Sequence, residues 1–507
     1  MSVVSQPAES CPAQPEPSRQ LVDSLATSLV FLLFLTVGQK LIGFVRSIIV
    51  CRVLPPEELG TWAMLQTLVL TISPVVLLSI PACFGRYFAK YRQQGQLAAF
   101  IQQATIICGL SLSLGVLMLW GFQGPVSLWV LGENQCSSLI VYTTMALIPF
   151  AMFSFLSELL LALRHGRVAS RANFISTVTF TIFSLGFLIC FPPSALSMLS
   201  AFALSFAIPL VMFYRVYRQV IHDLPANEAR LDWASTWGWM FPVILLFWFT
   251  DLLTNLFYTI DKYMIVNLYA ATSQAVFADL GAYEAMHVLT GIFLTVTTWI
   301  GKTLLPYTAK EWEEGRIREV SLQTNMSIKL VGFVSLGAGL VMSTFAAPLC
   351  HLLFNGKYDS AAYLVPYLVY FYLGCGTTIV LMNFYWCAGI AAWSTGSLVL
   401  GLVANCVVNY LLIPDHGIEG ATIGTICGMA CQSIGLLLFA IWRGLKLDLG
   451  VISYLLASSL LVVDRTGVLS WCGFLIAGVG FTGIFSDEER QRLGRAYTAL
   501  KDKLVRA

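Results

Sequence analysis

The feature that most constrains this chain is a series of apolar runs that recur along most of its length. Each run is about 20 residues long, which is the length an α-helix needs to cross the hydrocarbon core of a bilayer. The composition agrees, because 57% of the residues are hydrophobic and 11% are charged, whereas soluble proteins carry about 25% charged residues. Runs of this length indicate helices and not barrel strands. The sequence therefore predicts an all-α integral membrane protein that crosses the bilayer many times.

We count about fourteen transmembrane helices. Six lie in the first half, at 24–50, 60–84, 97–121, 138–163, 172–191 and 195–214. Six more follow at 237–268, 277–301, 328–350, 362–388, 393–413 and 418–442, and two additional helices at 450–463 and 468–485. The predicted organisation is a lobe at 21–220, a cytoplasmic linker at 221–236, a second lobe at 237–442 and two extra helices within 443–485.

The two ends of the chain differ from the rest. Residues 1–20 are rich in Pro, Ser, Glu and Gln and lack the pattern of a signal peptide, so we expect a disordered cytoplasmic tail. In 486–507 apolar residues recur at helical spacing among basic ones, which predicts an amphipathic helix on the inner membrane surface or a solvated tail helix. These apolar residues are Leu493, Tyr497, Leu500 and Leu504.

The short connections predict the orientation in the membrane, because loops rich in Lys and Arg stay in the cytoplasm. Cations cluster after the second, fourth, sixth, eighth and twelfth spans, and the tail after residue 486 is also basic. The connection after the tenth span, at 388–394, has no cation. The opposite connections carry only three cations, at Arg52, Lys357 and Arg465. We therefore expect a multi-pass protein of the inner, or plasma, membrane with both termini in the cytoplasm.

A weak internal repeat relates the two halves. Arg46 in the first span aligns with Lys262 in the seventh, and Ile49-Val50 aligns with Ile265-Val266. Six helices in each copy keep the two copies in the same orientation, so an axis along the membrane normal would relate them.

Ionisable side chains inside the spans are the candidate functional residues, since each costs at least about 2.5 kcal/mol near the bilayer centre. In the first span Thr36, Gln39 and Arg46 share one helical face, and Lys40 lies about 100° from Gln39. In the seventh, Asp251, Asn255, Tyr258 and Lys262 share a face that Asp261 flanks, and in the eighth Glu284 and His287 share another. A hydrated cavity between two lobes would explain all three polar faces together.

Structural explanations for single residues stay open. Arg46 and Lys262 lie toward helix ends and could extend to the interface. Asp261 with Lys262, or Glu284 with His287, could be structural pairs. Glu158 in the fourth span is better explained by packing between helices.

Motifs for chemistry are absent from the sequence. There is no Walker loop, no HExxH motif and no paired-cysteine metal site. The thirteen cysteines lie mostly within spans, so we expect reduced thiols that pack. No external loop is long enough to hold a catalytic domain. We expect no enzyme activity, no metal, no cofactor and no binding to nucleic acid.

Several stretches resemble the prokaryotic polysaccharide flippases of the superfamily that also contains the multidrug and toxin extruders and the lipid II flippases. They are CRVLPPEELGTWAM with the following GRYFAKYRQQG, LGAYEAMHVLTGIFLTVTTWIGKTLLPYTAKEWEEG, LCHLLFNGKYDSAAYLVPYL and VVNYLLIPDHGIEGATIGT. The resemblance covers about residues 22–442, and its strength lies in the order of the motifs. It implies a MATE-like, V-shaped arrangement of two six-helix lobes around a central cavity, with two extra helices.

The resemblance also implies a function. Such a flippase carries a polyprenyl-diphosphate-linked oligosaccharide from the cytoplasmic to the outer face by alternating access, for O-antigen, lipopolysaccharide or another cell-surface polysaccharide. Cavity cations hold the diphosphate, and Lys40, Arg46 and Lys262 match them here. Thr36, Gln39, Asn255 and Tyr258 could bind sugar hydroxyls.

The titratable residues in the spans could also couple transport to an ion. Asp251, Asp261, Glu284 and His287 could couple transport to H⁺ or Na⁺, or could serve lobe closure. The expected partners are the lipid-linked oligosaccharide, membrane lipids and the polysaccharide polymerase or glycosyltransferase machinery. The alternative is a MATE-type, cation-coupled drug or metabolite antiporter; a scaffold and an integral-membrane transferase are less favoured.

Overall fold

The structure is a computed structural model that describes residues 19–133, 137–223, 232–463, 468–479 and 485–492, together with positions 494 and 498. Within these ranges side-chain positions are described from residue 35 onward, apart from residues 86, 220–223, 235, 299–300, 302–303, 306, 391 and 477–479. This part of the chain consists of α-helices, one 3-10 helix and short connections, with no β-strand among the described residues. The predicted all-α class is therefore confirmed.

In the part of the N-terminal lobe that the structure describes there are nine helices. They are α1 (Arg19–Val53), α2 (Pro56–Val76), α3 (Ile80–Gln93), α4 (Leu97–Gly121), α5 (Gln123–Leu131), α6 (Ser137–Ala162), α7 (Gly166–Cys190), α8 (Ala195–Leu204) and α9 (Ala207–Asp223). Within the lobe α1 packs on α7, and α2 packs on α6 and α8.

Among the described residues, seven α-helices and one 3-10 helix form the C-terminal lobe, and two more α-helices follow it. The lobe contains α10 (Trp233–Leu268), α11 (Ser273–Thr290), α12 (Ile292–Glu313), α13 (Ile317–Thr344), α14 (Ala346–Phe354), the 3-10 helix Asp359–Leu364, α15 (Val365–Cys387) and α16 (Ala391–Trp442). The last two are α17 (Leu449–Val463) and α18 (Val468–Val479). α10 packs on α16, α15 packs on α12, α13 and α16, and α17 packs on α13 and α15.

Two breaks in the helices have local causes. Leu78 and Ser79 adopt positive φ angles of 53° and 47°, so the chain leaves helical geometry between α2 and α3. Gly417, with φ 52° and ψ −125°, divides α16 into two arms. A side chain at Gly424 or Gly428 would contact Asn409 or Asn405, respectively, so the arms pack closely against each other as a hairpin. The predicted spans 393–413 and 418–442 correspond to these arms.

The membrane-spanning character of the fold is clear from helix length and polarity. Among the described residues, nine helices are long and apolar enough to cross a bilayer, or ten if the bent pair Ser273–Thr290 and Ile292–Thr298 counts as one span. The protein is thus a multi-pass membrane protein. The count of about fourteen spans and the predicted domain boundaries stay predictions.

Parts of all predicted segments except the second lobe lie outside the described residues. These parts are 1–18 of the N-terminal tail, 134–136 of the first lobe, 224–231 of the linker, 464–467 and 480–484 of the segment with the two extra helices, which include Arg465, and most of 486–507, including Leu493, Tyr497, Leu500 and Leu504.

Candidate functional site

The two lobes contact each other where α1 ends, and we call this side of the bundle the Arg52 end. The guanidinium of Arg52 donates to the carbonyl of Leu352 at 3.1 Å. Lys357 Nζ donates back to the carbonyls of Arg52 at 2.6 Å and Leu54 at 3.1 Å, and the Tyr358 hydroxyl donates to Cys51 O at 3.3 Å. These contacts join α1 to the loop after α14, so the described state is closed at the Arg52 end.

The contact between α2 and α11 is reciprocal. A Cβ added at Gly60 would clash with the carbonyl oxygen of Phe277, and one added at Gly281 would clash with that of Pro56. The Cβ added at Gly60 would lie 3.1 Å from Gly281 N, and the Cβ added at Gly281 would lie 3.2 Å from Gly60 N. Glycines at these two positions let the helix backbones touch. Each helix therefore presents the same segment to the other, as a two-fold axis would require.

A second pair of contacts follows the same symmetry. Asn267, at the end of α10, donates to the carbonyl of Trp129 in α5 at 2.8 Å, while the Trp129 ring stacks on Tyr263 at 4.4 Å between centroids. Arg52, at the end of α1, donates to Leu352 in α14 in the same manner. The short helix of each lobe thus accepts a hydrogen bond from the first helix of the other. This arrangement supports the internal repeat inferred from Arg46 and Lys262.

In the C-terminal lobe the predicted charges form a connected cluster. Lys262 Nζ lies 2.6 Å from Glu284 Oε2, joining α10 to α11, and the two side chains are 14% and 21% exposed. Asp261 is buried; it accepts the Lys262 backbone N–H at 2.9 Å and a short hydrogen bond from the Tyr283 hydroxyl. The structure therefore brings Asp261, Lys262 and Glu284 together, with Lys262 neutralised by Glu284.

His287 extends this cluster toward α15. Its Nδ1 lies 2.9 Å from the Tyr372 hydroxyl, and its ring meets Tyr283 edge to face at 4.5 Å. Its Nε2 is buried with no hydrogen-bond partner among the described residues. His287 therefore does not pair with Glu284 by a direct hydrogen bond, although both lie on α11.

In the N-terminal lobe Arg46 has different surroundings. Its guanidinium lies 4.1 Å from the centroid of the Phe180 ring on α7, a cation–π contact. Phe180 in turn packs against Trp62, with 6.2 Å between ring centroids. No carboxylate lies within ion-pair distance of Arg46 in the described part of the chain. Arg46 is a half-buried cation that packs against the Phe180 ring.

The other predicted residues are dispersed. On α1, Lys40 lies on the exposed face with Leu41, about 120° around the helix from Arg46, so the structure does not join the two cations. Thr36 is exposed and Gln39 is half-buried. Glu158 is exposed on α6.

On α10, Asp251 lies about 16 Å along the helix from Lys262. Its backbone carbonyl accepts the Asn255 amide at 2.8 Å. Tyr258 is 40% exposed, one turn from Lys262.

A further charged cluster, which the sequence did not indicate, lies along the first half of α13. Lys329 and Glu489 are fully buried and 2.6 Å apart, and Lys329 also makes a short ion pair with Asp448. Glu489 and Ser486 cap each other's backbone N–H groups, the pattern that begins a helix. Arg492 binds Glu319 at 2.7 Å, and this hydrogen bond raises the pKa of Arg492. Residues 485–492 thus bind the C-terminal lobe.

Sequence reasoning also missed Tyr283 and Tyr372. The Tyr283 hydroxyl donates to Asp261, and the Tyr372 hydroxyl is hydrogen-bonded to His287 Nδ1, yet in sequence both are ordinary aromatic residues of apolar helices. Tyr283 adjoins Glu284, which is the only local signal. Arg52 and Lys357 did stand out, as cations in connections predicted to lie outside, and the structure gives both a contact between the lobes.

The arrangement offers two kinds of chemistry. Arg46 can bind an anion through planar N–H donors while its charge stays in a low-dielectric setting. The Asp261–Lys262–Glu284 cluster can exchange ion-pair partners, because Lys262 has one carboxylate contact that another anion could replace.

Comparison with known proteins agrees with these features. The model of a family described as polysaccharide biosynthesis protein matches residues 25–312, more than half of the chain. An uncharacterized membrane protein of Methanocaldococcus jannaschii is 29% identical over 143 residues, which are 28% of this chain and 27% of that protein. The match therefore spans about a quarter of this curated relative.

Solved structures of transporters share the fold. The lipid II flippase MurJ in an inward closed conformation has a TM-score of 0.64 at 12% identity, over 90% of this chain and 98% of that chain. An inward-facing MATE family transporter of the MOP superfamily has a TM-score of 0.63 at 13% identity, over 80% and 94%. The Vibrio cholerae MATE transporter VcmN in its bent form has a TM-score of 0.56 at 16% identity, over 87% and 100%. At these identities the likeness concerns the fold.

Proposed function

Because the chain belongs to the polysaccharide biosynthesis protein family, we propose that it is a flippase for a polyprenyl-diphosphate-linked oligosaccharide. It moves this lipid by alternating access across the cytoplasmic membrane, with no chemical conversion of the substrate. The direction is from the cytoplasmic to the outer face, where cell-surface polysaccharides are assembled. The MATE and MurJ fold supports a transporter whose two lobes rock against each other.

The observation that carries the proposal is Arg46. A diphosphate is an anion, and a path through a membrane protein must neutralise it away from bulk water. Arg46 is half-buried, is held against Phe180 and has no carboxylate partner among the described residues. A guanidinium in such a setting binds phosphate oxygens in a bidentate manner. An antiporter for cationic drugs would favour a carboxylate at this position of the first lobe.

The proposed topology sets which side of the membrane each end of the bundle faces. With both termini in the cytoplasm, the Arg52 end faces outward and the cluster around Lys329 faces inward. The described state is then closed toward the outside, which suits a flippase that waits for a cytoplasmic substrate. Polysaccharide polymerases and glycosyltransferases are the partners that would consume or supply this lipid. Coupling to H⁺ or Na⁺ through Asp251, Asp261, Glu284 or His287 is part of the proposal.

Cells that lack the protein test the proposed function. They should accumulate the lipid-linked oligosaccharide on the cytoplasmic face of the membrane. Wild-type protein should clear it, Arg46→Ala should not, and Lys310→Ala, which removes a side chain that is 69% exposed, should behave like the wild type. If no lipid-linked oligosaccharide accumulates while drug efflux falls, the antiporter replaces the flippase.

A further inference from the structure

The two repeats carry equivalent cations whose surroundings differ. Arg46 of α1 aligns with Lys262 of α10, and the reciprocal contact of Gly60 with Gly281 aligns α2 with α11. In that alignment Leu59-Gly60-Thr61-Trp62-Ala63 corresponds to Leu280-Gly281-Ala282-Tyr283-Glu284. Glu284 therefore stands where the first repeat has Ala63. At this position the second repeat has a carboxylate, which neutralises Lys262, whereas the first repeat has an alanine.

The aromatic residues of the two repeats correspond as well. Trp62 contacts Phe180, which lies beneath Arg46. Its counterpart Tyr283 donates its hydroxyl to Asp261, next to Lys262. Asp261 is occupied by this hydrogen bond and by the Lys262 backbone N–H, so Glu284 is the carboxylate that contacts the ammonium group. The first repeat thus presents an available cation, and the second presents a cation with an internal anion.

We propose that Glu284 is an internal counter-anion, which pairs with Lys262 in the closed state and which the diphosphate of the lipid-linked substrate displaces. This inference rests on the proposed function. The diphosphate first binds Arg46, which has no competing carboxylate among the described residues. It then takes the place of Glu284 at Lys262, so that cations of both lobes bind one anion.

The position of Glu284 connects this exchange to the closed end. Glu284 lies one turn from Gly281 on α11, the helix that touches α2. The ion pair with Lys262 fixes α11 to α10, and α10 carries Asn267, which binds the other lobe at Trp129. Releasing Glu284 therefore removes the ion pair between α10 and α11, both of which contact the N-terminal lobe at the Arg52 end. Substrate binding would loosen the closed end through this single exchange.

Binding measurements on the full chain in nanodiscs test the proposal, with undecaprenyl diphosphate as the probe and undecaprenol as the uncharged control. Glu284→Gln should bind the diphosphate about tenfold more tightly than the wild type, equivalent to about 1.4 kcal/mol, because Lys262 no longer has a competing anion. Glu284→Asp, which keeps the charge, should bind like the wild type. Asp279→Asn neutralises another carboxylate of α11 and should leave the affinity unchanged.

The arms of the experiment separate the inference from the proposed function. Tighter binding by Glu284→Gln, lost again in Glu284→Gln with Lys262→Met, supports the counter-anion. If the wild type prefers the diphosphate to undecaprenol and Arg46→Gln loses that preference, while Glu284→Gln binds no more tightly, the counter-anion is wrong and the flippase stands. If no variant distinguishes the diphosphate from undecaprenol, the proposed function fails and the inference falls with it. The double variant removes both members of the Lys262–Glu284 ion pair together, so neither member is left without the other.

Discussion

Gly60 and Gly281 meet backbone to backbone where the two lobes cross, and their contacts are equivalent. A Cβ added at either glycine would meet the carbonyl of the residue four positions before the other glycine. No side chain separates α2 from α11 at this point. A contact with this reciprocity is what two copies of one ancestral lobe produce when they associate about a two-fold axis. It explains why both positions are glycine and makes them a sensitive place to alter the closed state.

Gly281→Val should disfavour closure at the Arg52 end, because its Cβ would clash with the Pro56 carbonyl. Cys51, which is 1% exposed near the end of α1, is a native probe of the Arg52 end. In nanodiscs a hydrophilic maleimide should label Cys51 faster in Gly281→Val than in the wild type. Gly186→Val is the control, since an added Cβ there meets nothing within 4 Å. Equal labelling of Cys51 in all three proteins would refute a role for this contact in closure.

Lys357→Met should weaken the same end by a different route. Lys357 donates to the carbonyls of Arg52 and Leu54, and hydrogen bonds from charged groups contribute about 1.5–3 kcal/mol each. Losing them should raise the population of the opened state at least tenfold, seen as faster labelling of Cys51. Lys310→Met removes a cation that makes only a weak surface ion pair at 3.9 Å and should change nothing. Protection of Cys51 in Lys357→Met would show that the loop after α14 is not needed for closure.

Phe180→Leu should weaken substrate binding without removing the cation. The ring holds Arg46 at 4.1 Å, and cation–π contacts contribute about 0.5–2 kcal/mol. We expect the affinity for undecaprenyl diphosphate to fall about fivefold, against a larger fall for Arg46→Gln. Phe187→Leu changes a ring of the same helix that packs on Phe191, away from Arg46, and is the control. An affinity loss of equal size in both phenylalanine variants would point to general damage to α7.

Lys329→Met should destabilise the C-terminal lobe, because Glu489 would be left buried without its cation. Breaking a buried ion pair from one side costs about 3–5 kcal/mol, and Lys329 and Glu489 are both fully buried. The melting temperature in detergent should fall clearly. Arg318→Gln removes an exposed ion pair of 3.4 Å, for which less than about 1 kcal/mol is expected. Equal melting temperatures for wild type and Lys329→Met would mean that residues 485–492 do not stabilise the lobe.

The sequence predicts the all-α class and most of the long apolar helices, but not the breaks in these helices or the contacts between them. Apolar length alone locates the spans, since the bilayer sets it. The break at Leu78 and Ser79 has no signal in hydropathy, because it depends on two residues of positive φ within an apolar run. The short helices α5 and α14 were likewise not predicted.

For the candidate site, the sequence predicts which residues share a helical face but not which residues they contact. Helical spacing placed Asp251, Asp261 and Lys262 on or beside one face, but the partner of each depends on a second helix. Lys262 pairs with Glu284 across the α10–α11 contact, and Asp261 receives a hydroxyl from Tyr283, an aromatic residue with no distinctive pattern. Arg52 and Lys357 departed from the charge rule for loops, and their reason, contact between lobes, is visible only in three dimensions.

The most direct test of the account is the rate at which purified protein, reconstituted in liposomes, moves a polyprenyl-diphosphate-linked oligosaccharide to the opposite leaflet. Accessibility of the sugar to an added, membrane-impermeant glycosidase reports that rate. We predict rapid transfer by the wild type, transfer at the protein-free rate by Arg46→Gln, and wild-type transfer by Lys310→Met. Transfer by Arg46→Gln at the wild-type rate would contradict the anion-binding role of Arg46, and no transfer by the wild type above protein-free liposomes would contradict the flippase itself.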